Sequence, residues 1–181
     1  MQNIELKVIL NNFDQTINLL QNFGAKHQGT LHQIDTYYQC NIGRLKIREI
    51  NNQSQELIFY QRPDTTLSKI SQYQIIRITN KQIKTIKHLL HISLGEKVIV
   101  EKERDLWLYQ NTRIHLDKVY GLGCFLELET VIKKDITEAR EEHLEVVKLL
   151  NLQKFPKIDR SYSDILQPII DHRAKVTAQT F

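Results

Sequence analysis

Three short runs in this chain place like charges two residues apart. Arg44, Lys46 and Arg48 form one, Lys102 and Arg104 a second, and Glu127 and Glu129 a third. In an extended strand, side chains at i and i+2 share a face about 7 Å apart. Two like charges near 6 Å repel by roughly 2–3 kcal/mol at an effective dielectric of about 20, before salt screening. A single amphipathic strand with a polar face is by default a solvated face over a core. Segregation into all-basic and all-acidic faces is better explained by counter-ions between the groups: a polyanion for the cations, a divalent metal for the glutamates. Arg and Lys take phosphate oxygens by charge-assisted hydrogen bonds, and carboxylates take hard cations. A polyphosphate with its metal needs both signs at once.

The elements that must hold these rows are legible as alternation. Residues 3–10 alternate Ile4, Leu6 and Val8 with Glu5 and Lys7, a strand period. Further strands are predicted over 30–38, 44–50, 56–61, 69–79, 97–109, 112–120 and 125–133. Asp14 is expected to cap a helix to Phe23, and Asn80 another through Leu90. Asp135 with Glu138 reads as a capping box opening a helix with Leu144, Val147 and Leu150 as its stripe. A short helical piece is predicted at 161–166, then a polar tail from 167 to 181 without apolar pattern. Strands that are apolar outside and charged inside can close into a barrel with helices packed outside. The predicted fold is α+β, dominated by antiparallel strands, in one domain over 1–166.

Composition sets limits on function. With 25 cationic and 21 anionic side chains, the net charge of +4 argues against a pure nucleic-acid binder. Cys40 and Cys124 are too few for a disulfide scaffold or a zinc cluster, so free thiols in a reducing cytoplasm are expected. No apolar run approaches the roughly 20 residues of a membrane span, and the N-terminus begins with a strand pattern, not a signal peptide.

Six segments, taken in order, resemble the CYTH superfamily, the triphosphate tunnel metalloenzymes. NIELK at the start is similar to the family's ExExK signature, with Glu5 and Lys7 at its second and third charged positions. DTYY at 35–38 with GRLKIRE at 43–49 resembles the first basic hairpin, and LIFYQRPD at 57–64 the next strand. EKERDLW at 101–107, RIHLDKVYGLGCFLELE at 113–129 and RSYSDIL at 160–166 look closest to the class IV adenylate cyclase-like branch. The resemblance covers nearly the whole chain. It implies a closed eight-stranded antiparallel barrel, metal (Mg2+ or Mn2+) on Glu5, Glu127 and Glu129, and triphosphate on Lys7, Lys46, Arg48, Arg62, Lys102, Arg104 and Arg113. Asp117 resembles the tunnel aspartate that helps hold metal or orients a basic residue; with Glu5 and Lys7 it completes the implied catalytic set. A homodimer is also implied.

The chain departs from the pattern at Asn3, where the signature has a glutamate, and at Cys124, where the branch often has an acid. His115 reads as a satisfied structural histidine, Trp107 and Tyr109 as packing, and Tyr37, Tyr60 and Tyr73 as wall residues. Ser161 and Tyr162 are assigned to a flap over one tunnel end. Four functions follow from these residues. The leading one is cyclisation of ATP to cyclic AMP and pyrophosphate. The same site admitting water would be a triphosphatase acting on tripolyphosphate, thiamine triphosphate or a nucleotide. A polyphosphate or nucleotide sensor rests on the loss of the first glutamate, and an RNA-binding β-protein leaves Glu127 and Glu129 unexplained.

Overall fold

The alternation closes on itself. In the computed structural model, which describes residues 2–178 and side chains through 172, eight antiparallel strands form a closed barrel. They are β1 (Gln2–Leu10), β2 (Lys26–Tyr38), β3 (Arg44–Ile50), β4 (Ser54–Gln61), β5 (Lys69–Ile78), β6 (Glu96–Tyr109), β7 (Thr112–Val119) and β8 (Gly123–Val131). Around the barrel they run β1-β5-β4-β3-β2-β6-β7-β8. Closure leaves no unpaired edge. It also sorts each strand's two faces into a wall lining a tunnel and a wall carrying helices.

The apolar residues of the outer face account for the helices. Leu6, Val8 and Leu10 of β1, Ile114 and Leu116 of β7, and Leu126 and Leu128 of β8 are all buried. They pack under α1 (Asp14–Asn22) and α3 (Ile136–Leu149), which contribute Leu20 and Val146. On the other side of the barrel, α2 (Ile83–Leu94) lays Ile83, Ile86 and Leu90 over Tyr38, Ile47 and Ile78. Gly24, at φ +79°, ends α1 in the left-handed region that glycine adopts without strain. Gly43, which turns β2 into β3, has a tighter requirement: a Cβ there would lie 2.7 Å from the Tyr60 carbonyl oxygen.

Two helix N-termini differ from the sequence expectation. Asp14 is the first residue of α1 rather than its cap, and Phe13 at the cap position makes no side-chain bond. Asn80 does not cap α2; Gln82 holds that position and its Oε1 accepts from the Thr79 hydroxyl at 2.7 Å. Asp135 does cap α3, accepting from the Thr137 amide at 3.0 Å. The stripe of α3 is displaced, however. Leu144 is 53% exposed, whereas Ala139, His143, Val146 and Leu150 face the barrel. The displacement has a polar cause. Glu142 on the same side accepts from the Asn111 amide nitrogens and the Thr112 hydroxyl, and the His143 Nδ1 meets Thr130 Oγ1 at 2.9 Å. These bonds fix the rotation of α3 against β7 and β8.

The last helix, α4 (Tyr162–Ala178), runs through Pro168. Residues 167–178 are therefore helical where the sequence reading began a polar tail, and 179–181 lie outside the described residues. Ser161 and Asp164 bond reciprocally at its start, Asp164 N–H to Ser161 Oγ and Ser161 N–H to Asp164 Oδ2, a capping box. Tyr162 and Leu166 pack on Tyr37, Val98, Val100, Val119 and Phe125, so α4 seals one end of the barrel. No described helix is long and apolar enough to cross a membrane.

Candidate active site

A cavity of about 370 Å³ occupies the barrel, within the range of small-molecule sites. Every predicted phosphate ligand lines it: Lys7, Lys46, Arg48, Arg62, Lys102, Arg104 and Arg113. Glu5, Glu127 and Glu129 line it too. Asp117 does not. It is fully buried inside the barrel at the sealed end, where both its oxygens accept from Arg104 at 2.6 Å and one accepts from the Tyr162 hydroxyl at 2.9 Å. Of the two roles expected for Asp117, its contacts are those of a group that orients a basic residue.

The cations are held in place by a carboxylate that the sequence reading passed over. Asp35, 1% exposed, accepts from Lys46 Nζ at 2.9 Å, from Lys102 Nζ at 2.8 Å and from Arg48 Nε and Nη2 at 2.7 and 2.8 Å. Burial works against its ionisation, but Arg48, Lys102 and Lys46 together hold it well below the usual carboxylate range. One negative charge against three positive ones leaves a surplus for an anionic ligand to neutralise. Signals for Asp35 existed: it shares the inward phase of β2 with Gln33 and Tyr37 and stands directly opposite Arg48. Lys7 closes the deep side, 3.2 Å from Glu127 and 3.8 Å above the centre of the Tyr162 ring.

The same surplus makes the lysines sensitive to pH. Burial first, then Arg48, brings Lys46 down to about 7. Burial likewise brings Lys102 down to about 8. A bound polyanion restores both toward their ordinary value near 10.4, so binding takes up protons wherever the free lysines have lost theirs. Triphosphate affinity is therefore expected to be highest below about pH 7. It should fall above that by up to about tenfold per pH unit for each lysine affected. Calorimetric titration in buffers of different ionisation heat measures the uptake directly, and no uptake at pH 8.5 would contradict the assignment.

The acidic side is assembled by register. Glu5 stands opposite Glu129 and Lys7 opposite Glu127 across β1 and β8, and His115 of β7 stands opposite Glu127. Donor atoms of His115, Glu127 and Glu129 lie within 4.8 Å of one another. Glu5 is outside this group, its Oε2 accepting from Arg62 at 2.7 Å. Burial and then the charges of Glu127 and Glu129 raise the Glu5 pKa. Burial also disfavours the Glu127 anion, yet Lys7, His115 and Arg104 hold it well below its ordinary value. The expectation of a satisfied structural His115 is not met. Its buried Nδ1 has no hydrogen-bond partner, lying 3.8 Å from Glu129 and 4.0 Å from Glu127. An orphaned imidazole nitrogen beside two carboxylates is a donor set that fits a divalent cation.

Asn3, at the position of the departed glutamate, is 2% exposed on the cavity wall with its Oδ1 unpartnered. Trp107 is buried in the outer core, as expected of a packing residue. Tyr37, Tyr60 and Tyr73 line the wall, and Ser161 and Tyr162 enter it from the sealed end.

The family model of the CYTH domain matches residues 1–162. The chain belongs to the CYTH domain family. A Methanocaldococcus jannaschii relative named putative adenylate cyclase MJ0240 is 28% identical over 177 residues, spanning 91% of this chain and 98% of its own. Among solved structures, the PH1012 protein of Pyrococcus horikoshii superposes with a TM-score of 0.74 at 23% identity, covering 90% of this chain and 98% of that one. A putative adenylyl cyclase from Hippeastrum with a dominant triphosphatase activity gives a TM-score of 0.58 at 16% identity, covering 91% of this chain and 93% of that one. At these identities the superpositions establish the CYTH fold of the closed barrel.

Proposed function

We propose that this CYTH chain is a metal-dependent enzyme of triphosphates that converts ATP to cyclic AMP and pyrophosphate. The observation that carries the reading is the placement of two opposed charge clusters in one cavity: three cations gathered on Asp35, and Glu127, Glu129 and His115 converging a few ångströms apart. Tripolyphosphate chains carry the charge that the first cluster lacks. Mg2+ or Mn2+ on Glu127, Glu129 and His115, with Glu5 beside them, would supply Lewis acidity and acidify a neighbouring hydroxyl.

The protein's own groups do the rest. Lys46, Arg48 and Lys102, with Lys7 and Arg62, grip the terminal phosphates and take up charge as pyrophosphate departs. Arg104, fixed by Asp117, and Arg113 complete the ring of cations. In the reaction the ribose 3′-oxygen bonds to the α-phosphorus and the bond from that phosphorus to the bridging oxygen breaks. The hydroxyl proton passes to Glu5, the carboxylate whose pKa burial raises. The sealed end under Tyr162 limits water around the phosphates.

A triphosphatase reading keeps every one of these roles and makes water the nucleophile. The activity of the Hippeastrum neighbour favours it. Asn3 in place of an acidic residue supports a third reading, binding without turnover. The deciding experiment is incubation with ATP and with tripolyphosphate, each with magnesium or manganese, and chromatography of the products. Cyclic AMP with equal pyrophosphate is the expected outcome. Orthophosphate without cyclic nucleotide would replace the cyclase by the triphosphatase, and tight binding with no turnover would make the chain a sensor.

A further inference from the structure

A second polar cluster lies outside the tunnel, between the loop that precedes β5 and helix α3. Ser68 Oγ is 2.9 Å from His143 Nε2, and His143 Nδ1 is 2.9 Å from Thr130 Oγ1. Thr130 Oγ1 lies 2.9 Å from Thr112 Oγ1, whose hydroxyl donates to Glu142 Oε1 at 2.6 Å. None of these residues lines the tunnel cavity. His143, Thr130 and Thr112 are buried, whereas Ser68 is exposed.

The direction of every hydrogen bond in this relay is fixed from its far end. The Glu142 carboxylate accepts from the backbone and side-chain amides of Asn111 and takes the Thr112 proton as well. Thr112, its one proton spent, can only accept from Thr130. Thr130 must then accept in its turn, so the imidazole proton of His143 sits on Nδ1. Burial pushes His143 down to about 4, so the ring is neutral at about pH 7 and its Nε2 is a bare lone pair. The Ser68 hydroxyl donates to that lone pair. The opposite tautomer would draw the Thr130 proton to Nδ1. One of the remaining contacts, Thr112 with Thr130 or Thr112 with Glu142, would then hold two oxygens and no proton.

A serine hydroxyl on a bare imidazole nitrogen, with the other nitrogen locked by a relay anchored on a carboxylate, is the arrangement of an activated nucleophile. We propose that Ser68 is a covalent acylation site, which takes the acyl group of a small activated donor such as an aryl ester or an acyl phosphate. The Ser68 oxygen bonds to the carbonyl carbon while its proton moves to His143 Nε2. The bond to the leaving oxygen breaks, and that group departs with the proton. His143 is a weak base, so the attack needs a donor with a good leaving group. The alkyl ester formed on Ser68 offers none, and water would have to use the same weak base. The reaction therefore stops at the acylated protein. Neighbouring Lys69 does not compete, because its buried ammonium donates to the Thr65 and Asp159 carbonyl oxygens.

The test is to incubate the full chain with p-nitrophenyl acetate in a chelator and to follow acetylation peptide by peptide with mass spectrometry. Ser54 and Ser93, exposed serines elsewhere on the chain, are standards within the same molecule. Ser68 should be acetylated on the order of 100-fold faster than either, and should keep the acetyl group once the reagent is removed. Equal rates at the three serines of the unsubstituted protein would overturn the proposal, and that result depends on no variant's folding. His143→Gln, which can hydrogen-bond Ser68 but cannot take its proton, should bring Ser68 down to the rate of the standards. An undiminished rate in that variant would overturn the role of the relay and the proposal with it.

Discussion

Glu127→Gln combined with Glu129→Gln should abolish turnover with either metal while strengthening metal-free binding of tripolyphosphate. Amides keep the volume of the side chains and remove both charges. Two of the three converging donors then lose their affinity for a hard cation. A bound metal contributes several kcal/mol to stabilising a phosphoryl transition state, so the loss is on the order of 10³-fold or more. The opposite effect on metal-free binding follows from the same geometry. Glu127 neutralises Lys7 at 3.2 Å and Arg104 at 3.1 Å, and Glu129 neutralises Arg113 at 2.8 Å. Without those carboxylates, three cations turn to the incoming anion. Product chromatography reads the first effect and calorimetry in a chelator reads the second. Retained turnover would remove Glu127 and Glu129 from the reaction. Weakened tripolyphosphate binding would show that the pairs hold the cations in position more than they neutralise them.

The strand alternation made most of this site legible. A period of two specifies which side chains share a face, and the inward phase carries Lys46 and Arg48 in β3, Lys102 and Arg104 in β6, and Glu127 and Glu129 in β8. All ten residues chosen for metal or phosphate consequently line the cavity, Glu5 and Lys7 among them. Alternation within a strand does not state which strands become neighbours, and that is where the reading stopped. His115 sits directly opposite Glu127 only because β7 pairs with β8 in that register. Taken alone in its strand it looked structural. Asp35 was hidden for a related reason. Its three partners come from both adjacent strands, β3 and β6, and Lys102 of β6 lies 67 residues further along the chain.

Helix ends were legible where a side chain makes the cap, as at Asp135. They were misread where a polar residue merely stands near the start, as at Asp14 and Asn80. The stripe of α3 was misjudged because burial there is decided by a glutamate and a histidine. Glu142 and His143 face inward to satisfy Thr112, Thr130 and a turn amide, and no hydropathy pattern marks a buried polar pair. The helical piece expected to end at 166 continues through Pro168, because the capping box at Ser161 and Asp164 and the packing of Leu166 establish α4 before the proline is reached.

Asp35→Asn should destabilise the protein substantially, and tripolyphosphate should restore more stability to the variant than it adds to the wild type. Removing one member of a buried ion pair typically costs about 3–5 kcal/mol, because the partner is left charged and unpaired. In Asp35→Asn three partners are left: Lys46, Lys102 and Arg48, all within 3 Å of the lost charge. For a chain of this size each kcal/mol corresponds to about 2–4 °C, so the melting temperature should fall by on the order of 10 °C. The lysines can shed protons to lessen the penalty, and Arg48 cannot. The drop should therefore be greater at pH 6, where Lys46 and Lys102 are charged, than at pH 9. A polyanion bound in the cavity supplies the missing counter-charge to all three, which sets this variant apart from one with a simple packing defect. Thermal melts with and without saturating tripolyphosphate measure the difference. An equal ligand-induced shift in both proteins would mean that the anion does not reach these cations, and that the surplus charge around Asp35 serves the fold alone.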